Sequence, residues 1–198
     1  MSQRSARRPA IFLDRDGVIN ENRADYVKSW EELRLLPGVL DALRTLAATP
    51  YAVVVVSNQA AVNRGLMSRH TLEEMHCRLH TLVAAAGGQL DAIYYCPHRP
   101  DELCSCRKPQ PGMLLQAAAH LDLDLEQSYL VGDAITDLEA AVAVGVQPVL
   151  VLTGRGAEHA MLLDQQSHVI CPVVDDLGAA VAWITERMQS NRRPASWH

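Results

Sequence analysis

Short apolar runs rich in β-branched residues alternate with stretches of helical periodicity along this chain, a pattern typical of a parallel sheet covered by helices on both faces. The apolar runs predict strands at 10–13, 53–56, 90–95, 128–131, 148–152 and 168–171. The helical periodicity predicts helices that open near Pro37, run from Ser68 or Thr71 to about Ala86, and cover 111–121, 137–145 and 175–188. The sequence therefore predicts an α/β fold.

The length of the chain limits the number of domains. With 198 residues, 48% of them hydrophobic, it can bury one full core but not two. We expect a single domain over residues 9–189. Residues 1–8 and 190–198 are charged and polar without apolar periodicity, so we expect both ends to be disordered.

The charge balance is mildly acidic, with a formal net charge of −5. Such a chain lacks the basic field of a protein that tracks nucleic acid through its phosphates, so any anion site must be built locally. No run approaches the roughly 18 apolar residues of a membrane span, and no signal-type apolar run follows the N-terminal arginines. We expect a cytoplasmic monomer without nucleic-acid or membrane partners.

Acidic residues follow two of the predicted strands, where open α/β sheets place their ligands. Asp14 and Asp16 come directly after the first strand, and Asp133 follows the fourth, with Asp137 one helical turn further. Mutual repulsion makes such a cluster costly without a hard divalent cation, and Mg²⁺ suits carboxylate oxygens. One carboxylate can attack while a second donates a proton to a leaving oxygen. The alternative is ordinary turn chemistry around Gly17 and a helix-dipole charge at Asp137.

Groups suited to phosphate oxygens lie near the same edge of the predicted sheet. Ser57 and Asn58 end the second strand and offer a hydroxyl group and backbone amides. Arg107 and Lys108 add positive charge, Lys108 as a point charge and Arg107 as a bidentate fork. Taken alone, Ser57 could be a plain turn residue and the basic pair could be an ordinary surface feature.

A cysteine-rich segment has the spacing of a metal site. Cys96-x-His98 is followed after five residues by Cys104-x-Cys106, which gives three thiolates and one imidazole. This ligand set is typical of a closed tetrahedral zinc site, so Zn²⁺ would be structural and would hold the loop that carries Lys108. The alternative is a set of free buried cysteines.

The other cysteines and several histidines have no partner pattern. Cys77 and Cys171 are expected to be small core residues. His70, His76 and His80 lie along one predicted helix, and we expect them on its solvated face.

Four segments, in order along the chain, resemble the four motifs of the haloacid dehalogenase phosphatase superfamily. They are Asp14-Arg15-Asp16-Gly17-Val18-Ile19-Asn20, Ser57-Asn58-Gln59, Lys108, and Gly132-Asp133 through Asp137. The resemblance implies a Rossmann-like fold around a parallel sheet. The short spacings between the elements leave room for a minimal cap or none.

The same resemblance implies roles for particular residues. Asp14 would form an aspartyl-phosphate, and Asp16 would act first as general acid and then as general base. Mg²⁺ would be held by Asp14, Asp133 and the backbone carbonyl of Asp16. Ser57 and Lys108 would hold the phosphoryl group.

Nearly everything from Ile11 to Gly154 is similar, more specifically, to the D-glycero-D-manno-heptose-1,7-bisphosphate 7-phosphatase family, a branch shared with histidinol-phosphate phosphatases. The most specific matches are residues 93–98 and 104–113. This resemblance implies hydrolysis of the 7-phosphate of a small phosphorylated sugar in nucleotide-activated heptose biosynthesis, a product that can feed lipopolysaccharide. The residues expected to bind the substrate are Asn58, Arg64 and Arg107, with Asp137 in a supporting role.

Two other functions stay open. A histidinol-phosphate phosphatase would apply the same chemistry to an amine-bearing substrate, and its pocket should offer acidic groups to the amine. An inactive zinc-stabilised interaction module would not need to retain the set Asp14, Asp16, Ser57, Lys108 and Asp133. The chain also departs from the family pattern in having Ala134 where the family often has lysine, so one cationic contact is absent.

Overall fold

A six-stranded, wholly parallel sheet forms the centre of the computed structural model, which describes residues 7–166 and 169–192. The strands are β1 Arg8–Leu13, β2 Ala52–Asn58, β3 Ala92–Cys96, β4 Leu123–Gly132, β5 Gln147–Val151 and β6 Val173–Val174. Their order across the sheet is β3-β2-β1-β4-β5-β6. The winding direction reverses between β1 and β4, and such a switch point is where open α/β sheets bind ligands. The predicted α/β fold with a central parallel sheet is confirmed.

Six α-helices lie among the described residues. They are α1 Val39–Ala47, α2 Arg69–Ala85, α3 Gly112–Leu121, α4 Ile135–Val142, α5 Gly156–Gln166 and α6 Leu177–Arg192. Ser68 caps α2, because its Oγ accepts a hydrogen bond of 2.9 Å from the backbone N–H of Thr71. Short 3₁₀ helices occur at Trp30–Glu32 and Pro100–Glu102. No helix in the described part of the chain is long and apolar enough to cross a membrane.

The strands are apolar on both faces because helices cover both sides of the sheet. Ile11 and Leu13 of β1 face one cluster, which includes residues of α1, α2 and α6. Phe12, between them, faces a second cluster with residues of α3 and α4. Alternate strand residues thus point to opposite cores, and each large side chain so buried contributes about 1.5–3 kcal/mol to folding.

A smaller apolar cluster packs the long connection between β1 and α1 against the rest of the domain. Val27 and Leu33 pack against residues of α2, including Leu72 and Met75. The only helix in residues 14–38 is the 3₁₀ turn at Trp30–Glu32, and isolated bridges join Asn20 to Asp16 and to Leu35. The fold therefore carries no inserted cap domain in this connection, as the sequence predicted.

Two elements at the carboxyl end of the domain differ from the sequence prediction. A strand was expected at 168–171, but β6 is Val173–Val174, where Val173 pairs with Leu150; His168 lies outside the described residues. Helix α5 was not predicted. Its buried apolar side chain is Leu163, which packs on Leu138 and Leu150. Because α5 has no broad apolar stripe, its sequence does not show the pattern from which amphipathic helices are predicted.

Regular structure in the described residues runs from Arg8, in β1, to Arg192, in α6. Arg8 opens β1 and donates hydrogen bonds to the carbonyl groups of Pro50 and Tyr51, and α6 continues to Arg192. The rest of the two predicted tails, residues 1–6 and 193–198, lies outside the described residues.

Candidate active site

Three carboxylates and one lysine meet at the carboxyl edge of the sheet. Asp14 follows β1, Asp133 follows β4, Asp137 lies in the first turn of α4, and Lys108 comes from the loop between β3 and α3. All four are buried, with at most 5% of each residue exposed. We call Asp14, Lys108, Asp133 and Asp137 the carboxylate cluster. The sequence predicted that these groups would converge, and the fold brings them together.

Lys108 is the cation at the centre of this cluster. Its Nζ lies 2.7 Å from Asp14 Oδ1, 2.5 Å from Asp137 Oδ1, and 2.7 Å from the carbonyl oxygen of Val56, to which it donates a hydrogen bond. Asp137 also accepts a hydrogen bond of 3.1 Å from the backbone N–H of Ala134. Asp137 therefore stabilises the start of α4 and holds Lys108 at the same time.

Burial and charge crowding shift the ionisation of these groups. Burial, with the nearby Asp137 and Asp16 carboxylates, raises the pKa of Asp14 to about 6, although Lys108 opposes the shift. Burial also raises the pKa of Asp133, and the Asp14 carboxylate adds to the effect. Burial lowers the pKa of Lys108, but Asp137 and Asp14 outweigh it, so the pKa of Lys108 is raised and the lysine stays charged.

Asp133 is held in place by its surroundings on two sides. The backbone N–H of Arg155 donates to Asp133 Oδ2 at 2.9 Å, and the Arg155 guanidinium donates to Oδ1 at 3.2 Å. On the other side lies Gly17, whose φ is +95° and at which a Cβ atom would fall 2.1 Å from Asp133 Oδ2. Only glycine combines this backbone conformation with so close an approach.

The donor set of the cluster fits Mg²⁺. Carboxylate oxygens of Asp14, Asp133 and Asp137 all lie within 4.8 Å of one another. Oxygens bound to one Mg²⁺ are at most about 4.2 Å apart, so only small movements are needed. Three buried carboxylates face two cations, Lys108 and Arg155, and a hard divalent cation would relieve the remaining repulsion. The cluster can therefore hold magnesium.

Asp16 is surrounded by hydrogen-bond donors. Its carboxylate accepts from Arg15 Nη2 at 2.9 and 3.0 Å, from Asn20 Nδ2 at 2.8 Å and from Gln59 Nε2 at 2.7 Å. Burial raises the pKa of Asp16, but Arg15 and these hydrogen bonds outweigh burial and lower it. These contacts therefore favour the ionised form of Asp16.

Two polar residues at the end of β2 have separate contacts. Ser57 is buried, and its Oγ accepts a hydrogen bond of 2.7 Å from Gln59 Nε2, which leaves the hydroxyl proton available to a ligand. Asn58 forms two 3.1 Å hydrogen bonds with the backbone of Lys108, one as donor and one as acceptor. Asn58 thus positions Lys108 as well as lining the site.

A cavity of about 550 Å³ opens above the carboxylate cluster. Its lining includes Asp14, Asp16, Ser57, Lys108 and Asp137. Its other charged lining residues in the described part of the chain are Arg23, Arg107 and Arg155.

The arginines at this cavity differ from those expected. Arg107 lines it, as predicted, and donates to the carbonyl oxygen of His98 at 3.2 Å. Arg64 is exposed and is not among the described residues that line the cavity. Arg23 and Arg155 were missed, because neither belongs to a motif or follows a strand directly; only the folded loops bring them to the cavity.

Cys96, His98, Cys104 and Cys106, here called the zinc cluster, come together as their spacing predicted. The three sulfur atoms are 3.1, 3.4 and 3.5 Å apart, and His98 Nδ1 lies 3.4 Å from Cys96 Sγ and 3.3 Å from Cys106 Sγ. Sulfurs of a tetrahedral site with Zn–S bonds of about 2.3 Å are about 3.8 Å apart. One zinc ion therefore fits with a slight expansion, and every ligand place is taken by protein.

Two expectations for helix α2 were wrong. His76 is not solvated but buried, with 7% exposed, and its Nε2 lies 3.3 Å from Arg15 Nη1. Cys77, expected in the core, is exposed. Helical spacing places His70, His76 and His80 near one another, but it does not show that the side chain of Arg15 reaches the middle of the helix. His70 and His80 are exposed, as expected.

Sequence comparisons give a consistent family. The family model described as HAD-hydrolase-like matches residues 105–180. The D-glycero-beta-D-manno-heptose-1,7-bisphosphate 7-phosphatase of Pseudomonas putida is 51% identical over 146 residues, which cover 74% of this chain and 83% of that protein. The enzyme of the same name from Pseudomonas aeruginosa is 48% identical over 149 residues, covering 75% and 84% of the two chains.

A structural comparison agrees. The crystal structure of D,D-heptose 1,7-bisphosphate phosphatase from B. bronchiseptica, complexed with magnesium and phosphate, superposes with a TM-score of 0.84 at 39% identity. The match covers 90% of this chain and 99% of that one. The fold, the motifs and the identities lead to the same conclusion. This chain belongs to the D-glycero-D-manno-heptose-1,7-bisphosphate 7-phosphatase family of HAD-like hydrolases.

Proposed function

We propose that this protein hydrolyses the 7-phosphate of D-glycero-β-D-manno-heptose 1,7-bisphosphate in the biosynthesis of nucleotide-activated heptose. The β anomer is the one named for the relatives from two Pseudomonas species. The observation that carries the proposal is the pairing of a buried carboxylate, Asp14, with Lys108 in a cavity that arginines also line.

The charges of the cavity favour a doubly phosphorylated substrate. Its acidic lining residues, Asp14, Asp16 and Asp137, are already paired with Lys108 or Arg15. Of the remaining charged lining residues, Arg23 pairs with Asp25 and Arg155 with Asp133, whereas Arg107 forms no ion pair within the described part of the chain. Guanidinium groups suit a second phosphate, whereas the amine of histidinol phosphate would meet like charge. The bisphosphate is therefore the better match.

Asp14 is the proposed nucleophile. An oxygen of its carboxylate would form a bond to phosphorus as the bond from phosphorus to the sugar oxygen breaks. Lys108, fixed by Asp137 and by the carbonyl oxygen of Val56, would neutralise charge on the phosphoryl oxygens, and the Ser57 hydroxyl would donate to one of them. These groups are held before the substrate arrives, which reduces the reorganisation that the reaction requires.

Asp16 would donate a proton in the first step of the reaction and accept one in the second. In the first step a protonated Asp16 donates its proton to the departing sugar oxygen. In the second step the Asp16 carboxylate removes a proton from water, whose oxygen attacks the phosphorus and releases Asp14. Because Arg15 and Gln59 lower its pKa in the free protein, Asp16 would take up its proton when a phosphate dianion arrives nearby.

Two metals complete the proposal. Mg²⁺, bound by Asp14, Asp133 and the backbone carbonyl of Asp16, would supply positive charge to the phosphoryl group. Zn²⁺ in the zinc cluster would hold the loop that carries Arg107 and Lys108. None of the five cysteines, all of which lie within the described residues, forms a disulfide, which suits a reducing compartment, so we place the reaction in the cytoplasm.

The test measures phosphate release with Mg²⁺ from both anomers of the heptose bisphosphate and from histidinol phosphate, with ³¹P NMR to show which phosphate remains. We expect the β anomer to be preferred and the 1-phosphate to be retained. The variant Asp14→Asn should release phosphate at least about a thousandfold more slowly. Preference for histidinol phosphate would overturn the substrate but keep the chemistry, and absence of release from all three would overturn the enzymatic proposal.

A further inference from the structure

A fully buried arginine lies beside the proposed proton-transfer residue. Arg15 has no exposed surface, and its guanidinium contacts three side chains: Asp16 at 2.9 Å, Gln59 Oε1 at 3.1 Å and His76 Nε2 at 3.3 Å. Burying a guanidinium is expensive unless its donors are satisfied. These three side chains contact all three guanidinium nitrogens and fix its orientation.

The contact with His76 determines the form of the imidazole. A guanidinium can only donate hydrogen bonds, so His76 Nε2 must be the acceptor and the ring proton lies on Nδ1. Burial and the nearby Arg15 charge lower the pKa of His76 to about 3, in spite of the opposing charge of Asp16. The ring of Tyr95 lies 5.6 Å away, and the Tyr95 hydroxyl group donates to Glu73 on the outer face of α2. His76 is therefore neutral and cannot itself be the acid or base of the reaction.

We propose that His76 is a positioning residue for Asp16, acting through Arg15, which it holds in the one orientation that fixes the Asp16 carboxylate at the floor of the cavity. Gln59 supports the same arrangement, since its Oε1 accepts from Arg15 while its Nε2 donates to Asp16 at 2.7 Å. This inference rests on the proposed phosphatase function and concerns how its proton transfer is oriented.

The proposal has a chemical signature. An alkyl phosphate needs the proton of Asp16 as its oxygen departs, whereas the p-nitrophenolate of p-nitrophenyl phosphate leaves without one. The ratio kcat/KM reports only the steps up to the first irreversible one, which here is departure of the leaving group. A misaligned Asp16 should therefore lower kcat/KM for the sugar phosphate and spare kcat/KM for the aryl phosphate.

The central variant is His76→Phe, which keeps an aromatic ring and removes the acceptor. We expect it to lower kcat/KM for the heptose bisphosphate at least about tenfold, within the range of general acid catalysis, and to change the value for p-nitrophenyl phosphate less than about twofold. His76→Gln places an amide oxygen near the position of Nε2 and should restore most of the loss. His80→Phe, on the exposed part of the same helix, is the matched control and should change neither value.

If His76→Phe does not fold, Arg15→Lys gives a second measurement of the same ratio, because an ammonium group cannot reach His76 and Asp16 together. Equal losses on both substrates would show a general structural effect and overturn the proposal. So would an unchanged ratio, or a selective loss that His76→Gln does not restore.

Failure of the proposed substrate can be recognised separately. If the unmodified protein is inactive on the heptose bisphosphate but hydrolyses p-nitrophenyl phosphate and glycerol 3-phosphate, the substrate proposal fails. The comparison of His76 variants then continues with glycerol 3-phosphate as the alkyl substrate, and it is judged by the same ratio.

Discussion

The carboxylate cluster and the zinc cluster each contain side chains that could hold a metal ion, and they are built in opposite ways. The zinc cluster takes its four ligands from residues 96–106. The carboxylate cluster draws on residues 14, 108, 133 and 137, which three separate connections of the sheet bring together. One is defined by local spacing and the other by the topology of the fold.

The two clusters also differ in whether a bound metal ion would have a coordination position free for substrate. In the zinc cluster every coordination place can be filled by cysteine or histidine, so the metal has no position for substrate. The carboxylate cluster lies at the floor of a cavity and retains unbalanced negative charge. Closed coordination suits a structural role, and open coordination with raised pKa values suits chemistry. Four predictions test this contrast.

The largest effect should follow from Asp14→Asn. Replacing the proposed nucleophile by an amide should lower kcat at least about a thousandfold, because an amide cannot form the proposed covalent intermediate. Steady-state phosphate release measures this. The zinc content of the variant should be unchanged, and loss of both zinc and activity would show that the two clusters are not independent.

Opening the zinc cluster should have a smaller effect on activity. Cys106→Ser should lose bound zinc and lower kcat/KM by about 10–100-fold, because the loop that carries Lys108 is no longer fixed. Metal analysis and kinetics on the same preparation measure both. Cys77→Ser, at an exposed cysteine outside the cluster, is the control and should behave as the unmodified protein. Full activity of a zinc-free Cys106→Ser protein would contradict the structural role.

The charge imbalance of the carboxylate cluster should appear as a pH dependence of stability. The pKa of Asp14 is raised from 3.8 to about 6, so between these values the folded metal-free protein holds this proton more tightly than the unfolded chain. The contribution of Asp14 to stability therefore falls as the pH rises from 3.8 to 6. Without added Mg²⁺, Asp14→Asn should melt higher than the unmodified protein above pH 6, by roughly 6–12 °C, because the pKa difference corresponds to about 3 kcal/mol, and the difference should vanish near pH 4.

Thermal melts of both proteins between pH 4 and pH 7 measure this difference in melting temperature. Melts with added Mg²⁺ are the control. Added Mg²⁺ should raise the melting temperature of the unmodified protein and have little effect on Asp14→Asn, since one ligand is lost. A constant difference between the two proteins at every pH would contradict the raised pKa of Asp14.

The smallest expected effect is on KM, and it should distinguish Arg107 from Arg64. Arg107 lines the cavity and Arg64 does not, within the described part of the chain. Arg107→Met should raise KM for the heptose bisphosphate about tenfold, the value of one hydrogen bond to a charged group, and leave kcat nearly unchanged. Arg64→Met should change neither constant. An equal rise in KM for both variants would restore the family-based expectation for Arg64.

Much of the fold was predictable because its determinants are local. Buried parallel strands need continuous apolar runs, and β1 and β2 have them. Helix α5 and strand β6 were missed or misplaced because each makes few apolar contacts, so neither produces a strong pattern.

The sequence by itself determined the kind of chemistry: carboxylates after two strands, a lysine beyond the third, and four thiol or imidazole groups at zinc spacing. These are properties of residue type and short separation, which survive in any arrangement of the elements. Tertiary structure alone decided that Arg23 and Arg155 line the cavity and that His76 faces Arg15, 61 residues away in the chain. Helical periodicity reveals which residues share a face, but the partner of that face depends on how distant loops pack against it.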